Sequence, residues 1–230
     1  ILLICDNSTN PPLELSDLKF PFYIKYKYIN RNLGYGAGHN LNIYNYSTLE
    51  DNDVLVITNP DINFQSSSLF AFIKSFNMNL NLACAAPLII NNNGLIQYSA
   101  KNNPTLASLL LGRFKFMQRY HIFYKYLLNN QNRDKNYLSN TLNVPYLSGC
   151  FLLVKPLIYM KVAGFDERYF LHLEDADFVR MCSLHGDTQH IPTCKITHRW
   201  ARGSHKSFTQ MLNLIISMFK YFLKWGFSLY

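Results

Sequence analysis

A cluster of carboxylates lies in the segment 164–180, GFDERYFLHLEDADFVR, which holds five of the chain's 14 acidic residues. On a helix, Glu174 and Asp177 are i,i+3 neighbours, whereas Asp175 points elsewhere. Acidic side chains also favour helix N-termini, so dipole capping is the simpler interpretation. Because apolar residues at 170, 171 and 173 surround the acids, a carboxylate here is suited to general-base catalysis, and we favour that function.

Asp61 is a second candidate, because it follows an apolar run at 54–58 and the turn Asn59-Pro60. Proline ends a strand and fixes the turn, which places the carboxylate at the edge of a sheet. A carboxylate there can bind a divalent metal that bridges a diphosphate. Asn-Pro-Asp is also ordinary turn chemistry, and taken alone the turn is the favoured interpretation.

A glycine-rich segment, NLGYGAGHN, runs from Asn32 to Asn40. Its three glycines allow a backbone to approach a ligand closely, and a helix that starts here would aim its amides at an anion. The segment lacks the third glycine of the dinucleotide fingerprint, and no acidic ribose partner follows it at the expected distance. A plain strand-to-helix turn is an equally good interpretation.

Two further residues, Asp6 and His198, end apolar strand-like runs. In open α/β sheets, ligands bind at the carboxyl ends of strands, and this rule selects Asp6, Asn59 and Asp61. Neutral imidazole is a common ligand of divalent metals, although a lone histidine is more often structural.

The elements that must position these residues alternate between strand-like and helix-like segments. This alternation predicts an α/β fold with a mostly parallel central sheet and helices on both faces. The strands are predicted at 2–5, 22–29, 54–58, 82–90, 144–154 (broken at Ser148-Gly149) and 189–198. The helices are predicted at 36–49, 66–76 with a serine N-cap, 105–128, 175–184 and 208–227, with a polar loop at 129–140.

Composition supports one folded domain, with 49% hydrophobic residues in a chain of 230. We expect a nucleotide-binding half at 1–100, an acceptor and catalytic half at 101–204, and an amphipathic C-terminal helix at 205–230. The net charge of +8 favours anionic partners. Because the basic residues are interleaved with aromatics rather than forming a dense run, we expect no nucleic-acid partner.

Five cysteines without a CxxC pair indicate a reducing, cytoplasmic environment. The segment 208–227 has apolar residues at helical spacing, interrupted by Lys220 and Lys224, which argues against a spanning helix. It fits a helix lying in a membrane interface and, equally, a helix packed on the domain.

Taken together, these segments resemble the family 2 glycosyltransferases, particularly the bacterial rhamnosyltransferase-like branch that builds cell-surface polysaccharides. Their order and spacing carry the resemblance over nearly the whole chain. The matching stretches are CDNST (5–9), NRNLGYGAGHN (30–40), VLVITNPDI (54–62), YLSGCFLLVK (146–155), GFDERYFLHLEDADFVR (164–180) and the ITHRWARGS run (196–204).

The resemblance implies a GT-A fold and a nucleotide-sugar donor, either dTDP-rhamnose or a UDP-sugar. It also implies that the catalytic base is Asp175, with Glu174 beside it. Asp61 and His198 would hold a divalent metal, Mg²⁺ or Mn²⁺. The implied nucleotide-sugar contacts are Asp6, Asn7, Asn32, Gly36, Asn40, Asn59 and Asp61, and the implied sugar and acceptor pocket holds Ser148, Gly149, Asp166 and Arg180.

The implied reaction is an inverting displacement on a lipid-linked saccharide acceptor, at the cytoplasmic face of the cell membrane. Within the acidic helix, we expect Asp177 and Arg180 mainly to support the site. The chain differs from the family pattern in two respects. Relatives begin with another strand and helix before the CDNST motif; that segment is absent here, so the usual first strand is missing. The metal motif is Asn-Pro-Asp, with one acid fewer than DxD.

Two other functions compete with this one. A sugar-phosphate nucleotidyltransferase needs a basic, glycine-rich loop at its first strand, which the sequence lacks. A truncated or non-catalytic nucleotide-sugar-binding protein would bind the donor without turnover.

Overall fold

The computed structural model describes residues 1–15, 19–46, 49–50, 52–199 and 208–230, without the side chain of Lys115. The end of the ITHRWARGS run, from Trp200 onward, and Lys206 lie outside these residues.

The main sheet has six strands in the described residues: β3 (Leu55–Thr58), β4 (Ile62–Phe64), β5 (Leu82–Ile90), β7 (Leu142–Asn143), β9 (Phe151–Val154) and β10 (Asp187–His198). Five of them lie side by side in the order β3, β9, β5, β10, β4, while β7 pairs with β10. The apolar strands β5 and β9 are buried along nearly their whole length and form the centre of the sheet.

The strand directions differ from the sequence prediction. Among the described strands of this sheet, only β5 and β10 pair in parallel, and the other four pairings are antiparallel. The prediction of a mostly parallel sheet is therefore wrong. Hydrophobic patterns show where strands are but carry no information on direction, and β9 runs antiparallel between β3 and β5.

The first two strands stand apart from this sheet. In the described residues, β1 (Leu2–Asp6) pairs in parallel with β2 (Ile24–Tyr28) and forms no ladder with β3. A cavity of about 550 Å³ separates β1 from β3, lined mainly by apolar side chains of both strands. Asp6 ends β1, and Asp61 lies in the turn that follows β3. These two acids therefore lie on segments whose strands are not paired with each other in the described residues.

Helices cover both faces of the sheet, as predicted. On one face, α2 (Ser66–Met78) buries Phe72 and Phe76 completely. On the other, Phe165 packs with residues of α5 (Pro156–Lys161) and α6 (Glu174–Cys182), and with Ile43 of α1 (Tyr35–Tyr44). The serine N-cap expected for α2 is not formed, because the cap position is Gln65 and makes no side-chain bond.

The helix predicted at 105–128 is divided into three pieces. These are α3 (Leu106–Arg113), a 3₁₀ helix (Lys115–Arg119) and α4 (His121–Asn130). Thr105 caps α3 in a reciprocal pair with Ser108. Phe114, with φ −97° and ψ 84°, leaves the helical region and ends α3.

The C-terminal helix α7 (Phe208–Trp225) is docked on α6 along one side. Buried Asp177 accepts hydrogen bonds from Lys224 at 2.8 Å and from the indole of Trp225 at 2.6 Å. Arg180 donates to the Tyr221 hydroxyl at 3.0 Å and stacks on Trp225. Asp177 and Arg180 thus hold α7 in place. Among the described helices, including α7, none combines the length and hydropathy needed to cross a bilayer.

Candidate active site

The two acids at the start of α6 are presented by a tight turn. His172 and Leu173 both have positive φ, at 70° and 65°. Consecutive non-glycine residues in the left-handed region are uncommon, and such strain concentrates at functional sites. The turn brings Glu174 and Asp175, the first two residues of α6, to the wall of a cavity of about 640 Å³.

Asp175 is fixed by hydrogen bonds on both carboxylate oxygens. The amide of Gly149 donates to Oδ2 at 2.9 Å, and the amide of Ala176 donates to Oδ1 at 2.8 Å. The Tyr146 hydroxyl lies 3.2 and 3.3 Å from the two oxygens. A Cβ on Gly149 would lie 2.8 Å from the Asp175 Cβ, so only glycine permits this approach.

Glu174 is a different kind of acid. Its side chain is buried, and Oε2 has no hydrogen-bond partner among the described residues. Burial first, and then the charge of Asp175, raise the pKa of Glu174 well above its usual range. The two neighbouring acids are therefore electrostatically distinct: Asp175 is solvated by protein donors, and Glu174 is desolvated.

The pairing of β4 with β10 brings Asp61 and His198 together. The Nε2 atom of His198 lies 3.3 Å from Oδ1 of Asp61. Its Nδ1 lies 3.1 Å from Oε1 of Gln97, whose amide nitrogen donates to the His198 carbonyl. With the amide in this orientation, Nδ1–H donates to Gln97, and Nε2 is the ring nitrogen that faces Asp61.

This donor set fits a divalent metal. A carboxylate oxygen and an imidazole nitrogen lie side by side, and Gln97 orients the ring as an outer-shell partner does. In the part of the chain that the structure describes, no three acidic, histidine or cysteine side chains converge as a complete metal site. Mg²⁺ sites commonly use only one or two carboxylates together with substrate phosphates, so a full set of protein ligands is not required.

The residues predicted to bind the nucleoside lie at the end of β1. Asp6 accepts from the Tyr26 hydroxyl at 2.6 Å and from the Ser8 amide at 2.9 Å, and these bonds, led by that of Tyr26, lower its pKa. Asn7 donates to the Gly34 carbonyl, and Asn32 accepts from the Gly34 amide. Gly34 has φ +91°, which favours glycine.

Tyr35 links this turn to the carboxylates. It is the first residue of α1, directly after Gly34, and its hydroxyl donates to the Gly149 carbonyl at 2.5 Å. The glycine-rich turn, Gly149 and Asp175 are therefore joined by consecutive contacts.

The cavity beside Asp175 collects seven of the predicted residues. They come from the turn after β3, the break between β8 (Tyr146–Leu147) and β9, the start of α6 and the end of β10. They are Asn59, Asp61, Ser148, Gly149, Glu174, Asp175 and His198.

The other seven predicted residues do not line this cavity. Three of them, Asp6, Asn7 and Asn32, are described above, and the remaining four make internal contacts. The side chain of Asn40 is 2% exposed and bonds Phe165, Glu167 and Tyr159, so it fastens α1 to the loop before α6. Gly36 packs against Phe165. Asp166 pairs with Arg168 at 2.6 Å and with Lys224 at 3.5 Å, and Arg180 contacts α7.

Several cavity residues were not anticipated from the sequence. Lys101 and Tyr146 face each other across the pairing of β6 (Ala100–Lys101) with β8, strands of two residues each. Gln210 reaches the cavity from α7, and its Oε1 is buried without a partner among the described residues. Strands this short leave no periodic signal in the sequence.

Curated proteins similar to this chain in sequence are named rhamnosyltransferases. The chain is 24% identical over 216 residues to the N-acetylglucosaminyl-diphospho-decaprenol L-rhamnosyltransferase of Mycobacterium tuberculosis, covering 89% of this chain and 67% of that protein. It is 28% identical over 181 residues to the rhamnosyltransferase WbbL of Escherichia coli K12, covering 76% and 64%. No family model matches the chain.

Solved structures share the fold. GalNAc-T7, determined with UDP, GalNAc and Mn²⁺, superposes with a TM-score of 0.53 at 12% identity, over 76% of this chain and 32% of that one. The mannosyltransferase PcManGT of Pyrobaculum calidifontis, with GDP-Man and Mn²⁺, gives 0.51 at 11% identity, over 89% and 48%. Both are GT-A enzymes. The chain is a glycosyltransferase of the GT-A fold.

This GT-A glycosyltransferase spans about two thirds of the length of the curated relatives and a third to a half of the solved structures. The predicted GT-A fold, apart from its strand directions, and the resemblance to the rhamnosyltransferase-like branch are thereby confirmed.

Proposed function

We propose that this glycosyltransferase moves a sugar from a nucleotide-sugar donor to a hydroxyl of a lipid-linked saccharide, with inversion at the anomeric carbon. The observation that carries the proposal is the position of Asp175. Its carboxylate is fixed by Gly149, Ala176 and Tyr146 in the wall of the cavity that also contains Asp61 and His198.

In the proposed reaction, Asp175 takes the proton of the acceptor hydroxyl as the new bond to the anomeric carbon forms. The bond between that carbon and the donor diphosphate breaks on the opposite face, and the diphosphate leaves with the electron pair. Because Asp175 cannot rotate without losing several hydrogen bonds, its geometry is set before the substrates arrive.

Asp61 and His198 are proposed to hold Mg²⁺ or Mn²⁺ against the diphosphate, and the metal would neutralise charge on the leaving group. Asp6, Asn7 and Asn32 are proposed to hold the nucleoside at the end of β1.

The names of the relatives support a finer assignment of the substrates. Both are rhamnosyltransferases, and one name specifies an N-acetylglucosaminyl-diphospho-decaprenol acceptor. We therefore propose rhamnose, carried as dTDP-rhamnose, as the donor sugar, and a saccharide on a lipid diphosphate as the acceptor, in the synthesis of a cell-surface polysaccharide.

Exposed apolar side chains support attachment to the cytoplasmic surface of a membrane. The face of α7 turned away from α6 carries a continuous apolar stripe, here called the α7 stripe: Phe208, Leu212, Ile215, Ile216, Phe219 and Leu223. Further exposed aromatic residues lie in the 3₁₀ helix and α4, among them Phe116, Tyr120 and Tyr124. Aromatic and basic residues together are typical of interfacial surfaces.

The experiment is a transfer assay with a synthetic N-acetylglucosaminyl-diphospho-lipid and Mn²⁺, comparing dTDP-rhamnose with UDP-sugars. We expect a new disaccharide and release of dTDP only with dTDP-rhamnose. Turnover of a UDP-sugar alone would replace the proposed donor. Donor binding without release of nucleotide from any donor would instead identify a non-catalytic binding protein.

A further inference from the structure

A second cavity, here called the side cavity, adjoins the active site. Its volume is about 730 Å³, and its wall shares Lys101, Ser148 and His198 with the cavity that contains Asp175. The two spaces therefore meet at these three side chains.

The charged side chains in the wall of the side cavity are cationic. Lys101 and Arg133 line it, whereas none of the described residues in its wall is acidic. The rest of the polar wall is made of amides and hydroxyls, which suit phosphate and sugar oxygens: Asn91, Gln97, Gln131, Ser99 and Ser148. By contrast, the active-site cavity contains Asp61, Glu174 and Asp175.

The two cations are held in place without carboxylate partners. The guanidinium of Arg133 stacks 4.4 Å from the ring centroid of Tyr98, and its Nε donates to Gln131 at 2.7 Å. The ammonium of Lys101 lies 5.2 Å from the ring centroid of Tyr146, and no described carboxylate reaches ion-pair distance of either cation. Desolvation lowers the pKa of Lys101; the charge of Asp175 opposes this shift, and the charge of Arg133 adds to it. A bound anion would offset the desolvation of Lys101 and the repulsion between the two cations.

Ser99 gives an independent sign of a ligand. Its side chain is 4% exposed, and its hydroxyl has no partner among the described residues although it borders the side cavity. Its carbonyl accepts the amide of Ser148 at 3.0 Å, which fixes the residue beside the active site. Buried hydroxyls without a partner are rare in proteins, and a ligand oxygen would satisfy this one.

We propose that the side cavity binds the diphosphate of the lipid-linked acceptor, with Lys101 and Arg133 as its cationic contacts. The proposal rests on the proposed function, since an acceptor sugar beside Asp175 places its diphosphate in the adjoining space. The donor diphosphate has its own place at Asp61 and His198, in the cavity that also holds the carboxylates.

The test measures binding of farnesyl diphosphate to the whole chain, saturated with dTDP and Mn²⁺ so that the donor site is filled. We expect Arg133→Gln and Lys101→Gln each to weaken binding about tenfold or more, the usual effect of losing a charge-assisted contact. The matched control is Lys135→Gln, an exposed lysine two residues from Arg133 that pairs with Asp134 at 3.1 Å. It should leave binding unchanged.

The proposal is overturned if the wild-type chain does not bind farnesyl diphosphate, or if Lys135→Gln weakens binding as much as Arg133→Gln. It is also overturned if Arg133→Gln weakens dTDP binding instead, because the side cavity would then serve the donor. Binding that follows the prediction in a protein that transfers no sugar would leave the side cavity as a diphosphate site and reject the proposed function alone.

Discussion

The Nε2 atom of His198 lies 3.3 Å from a carboxylate oxygen of Asp61, and Gln97 holds the opposite ring nitrogen. The antiparallel pairing of β4 with β10 produces this contact, since His198 is the register partner of Ile62. The amide of Arg199 also donates to the Asp61 carbonyl at 3.1 Å. A turn after one strand and the end of another thus place a carboxylate beside an oriented imidazole.

The first prediction concerns this pair. Asp61→Asn and His198→Gln should each raise the Mn²⁺ concentration needed for half-maximal turnover, by about 10- to 100-fold, since each removes a metal ligand or its charge. The measurement is a metal titration of the transfer reaction. His121→Gln, an exposed histidine on α4, is the control and should not change the titration. An unaltered Mn²⁺ response in both variants would show that the metal, if used, is held elsewhere.

The second prediction concerns Asp175. Asp175→Asn keeps an oxygen that accepts the Gly149 amide but removes the base, so kcat should fall by about 10²- to 10⁴-fold. Donor affinity, measured by calorimetry with dTDP, should survive because Asp175 does not hold the nucleotide. Asp134→Asn, at an exposed acid, is the control for both measurements. Retained turnover, or lost donor binding, would count against Asp175 as the base.

The third prediction uses the raised pKa of Glu174. Its folded-state pKa lies above the unfolded value, so the folded state binds more protons and this residue's contribution to stability falls as the pH rises above about 4.5, its ordinary value. Glu174→Gln cannot ionise and escapes this loss. The free energy of unfolding of the variant, relative to wild type at the same pH, should therefore rise from pH 5 to pH 8.

Urea denaturation at both pH values measures that difference. Glu50→Gln, an exposed acid, should show the same stability relative to wild type at both pH values. A flat difference for Glu174→Gln as well would mean that Glu174 ionises in the folded protein as readily as in the unfolded chain.

The sequence predicted the acids that line the active-site cavity better than it predicted the other residues of the cavity wall. Glu174, Asp175 and Asp61 follow from local signals, namely a helix start and a strand end, and the fold brings all three to one cavity. Lys101 and Gln97 depend on contacts between segments far apart along the chain, so no local pattern marks them.

Asn40 was predicted as a nucleotide-sugar contact, but it makes contacts inside the protein instead. A polar residue beside a glycine-rich turn resembles a ligand contact, yet the side-chain amide of Asn40 forms hydrogen bonds with Tyr159, Phe165 and Glu167. A buried amide needs such partners because an unpaired one is costly. The Asn40 amide bonds to the core because Phe165, 125 residues further along the chain, lies next to it. The sequence around Asn40 carries no information on the position of Phe165.

The fourth prediction concerns the membrane and the α7 stripe. Deleting residues 208–230 would be an ambiguous test, because it also removes buried Tyr221 and the cavity residue Gln210. Point changes on the outer face avoid this problem. Phe219 and Leu223 are 68% and 86% exposed, so replacing both by Gln should leave the fold and the cavity intact.

We expect Phe219→Gln with Leu223→Gln to weaken binding to vesicles of anionic phospholipid by at least about tenfold, since each side chain loses part of about 1.5–3 kcal/mol of apolar transfer energy. Flotation with vesicles measures the bound fraction. Leu80→Gln is the matched control, because Leu80 is also 86% exposed but lies in the turn between α2 and β5, away from α7. If Leu80→Gln weakened vesicle binding equally, the protein would bind membranes through exposed apolar residues in general and not through the α7 stripe. If neither variant weakened vesicle binding, the α7 stripe would not be the membrane contact.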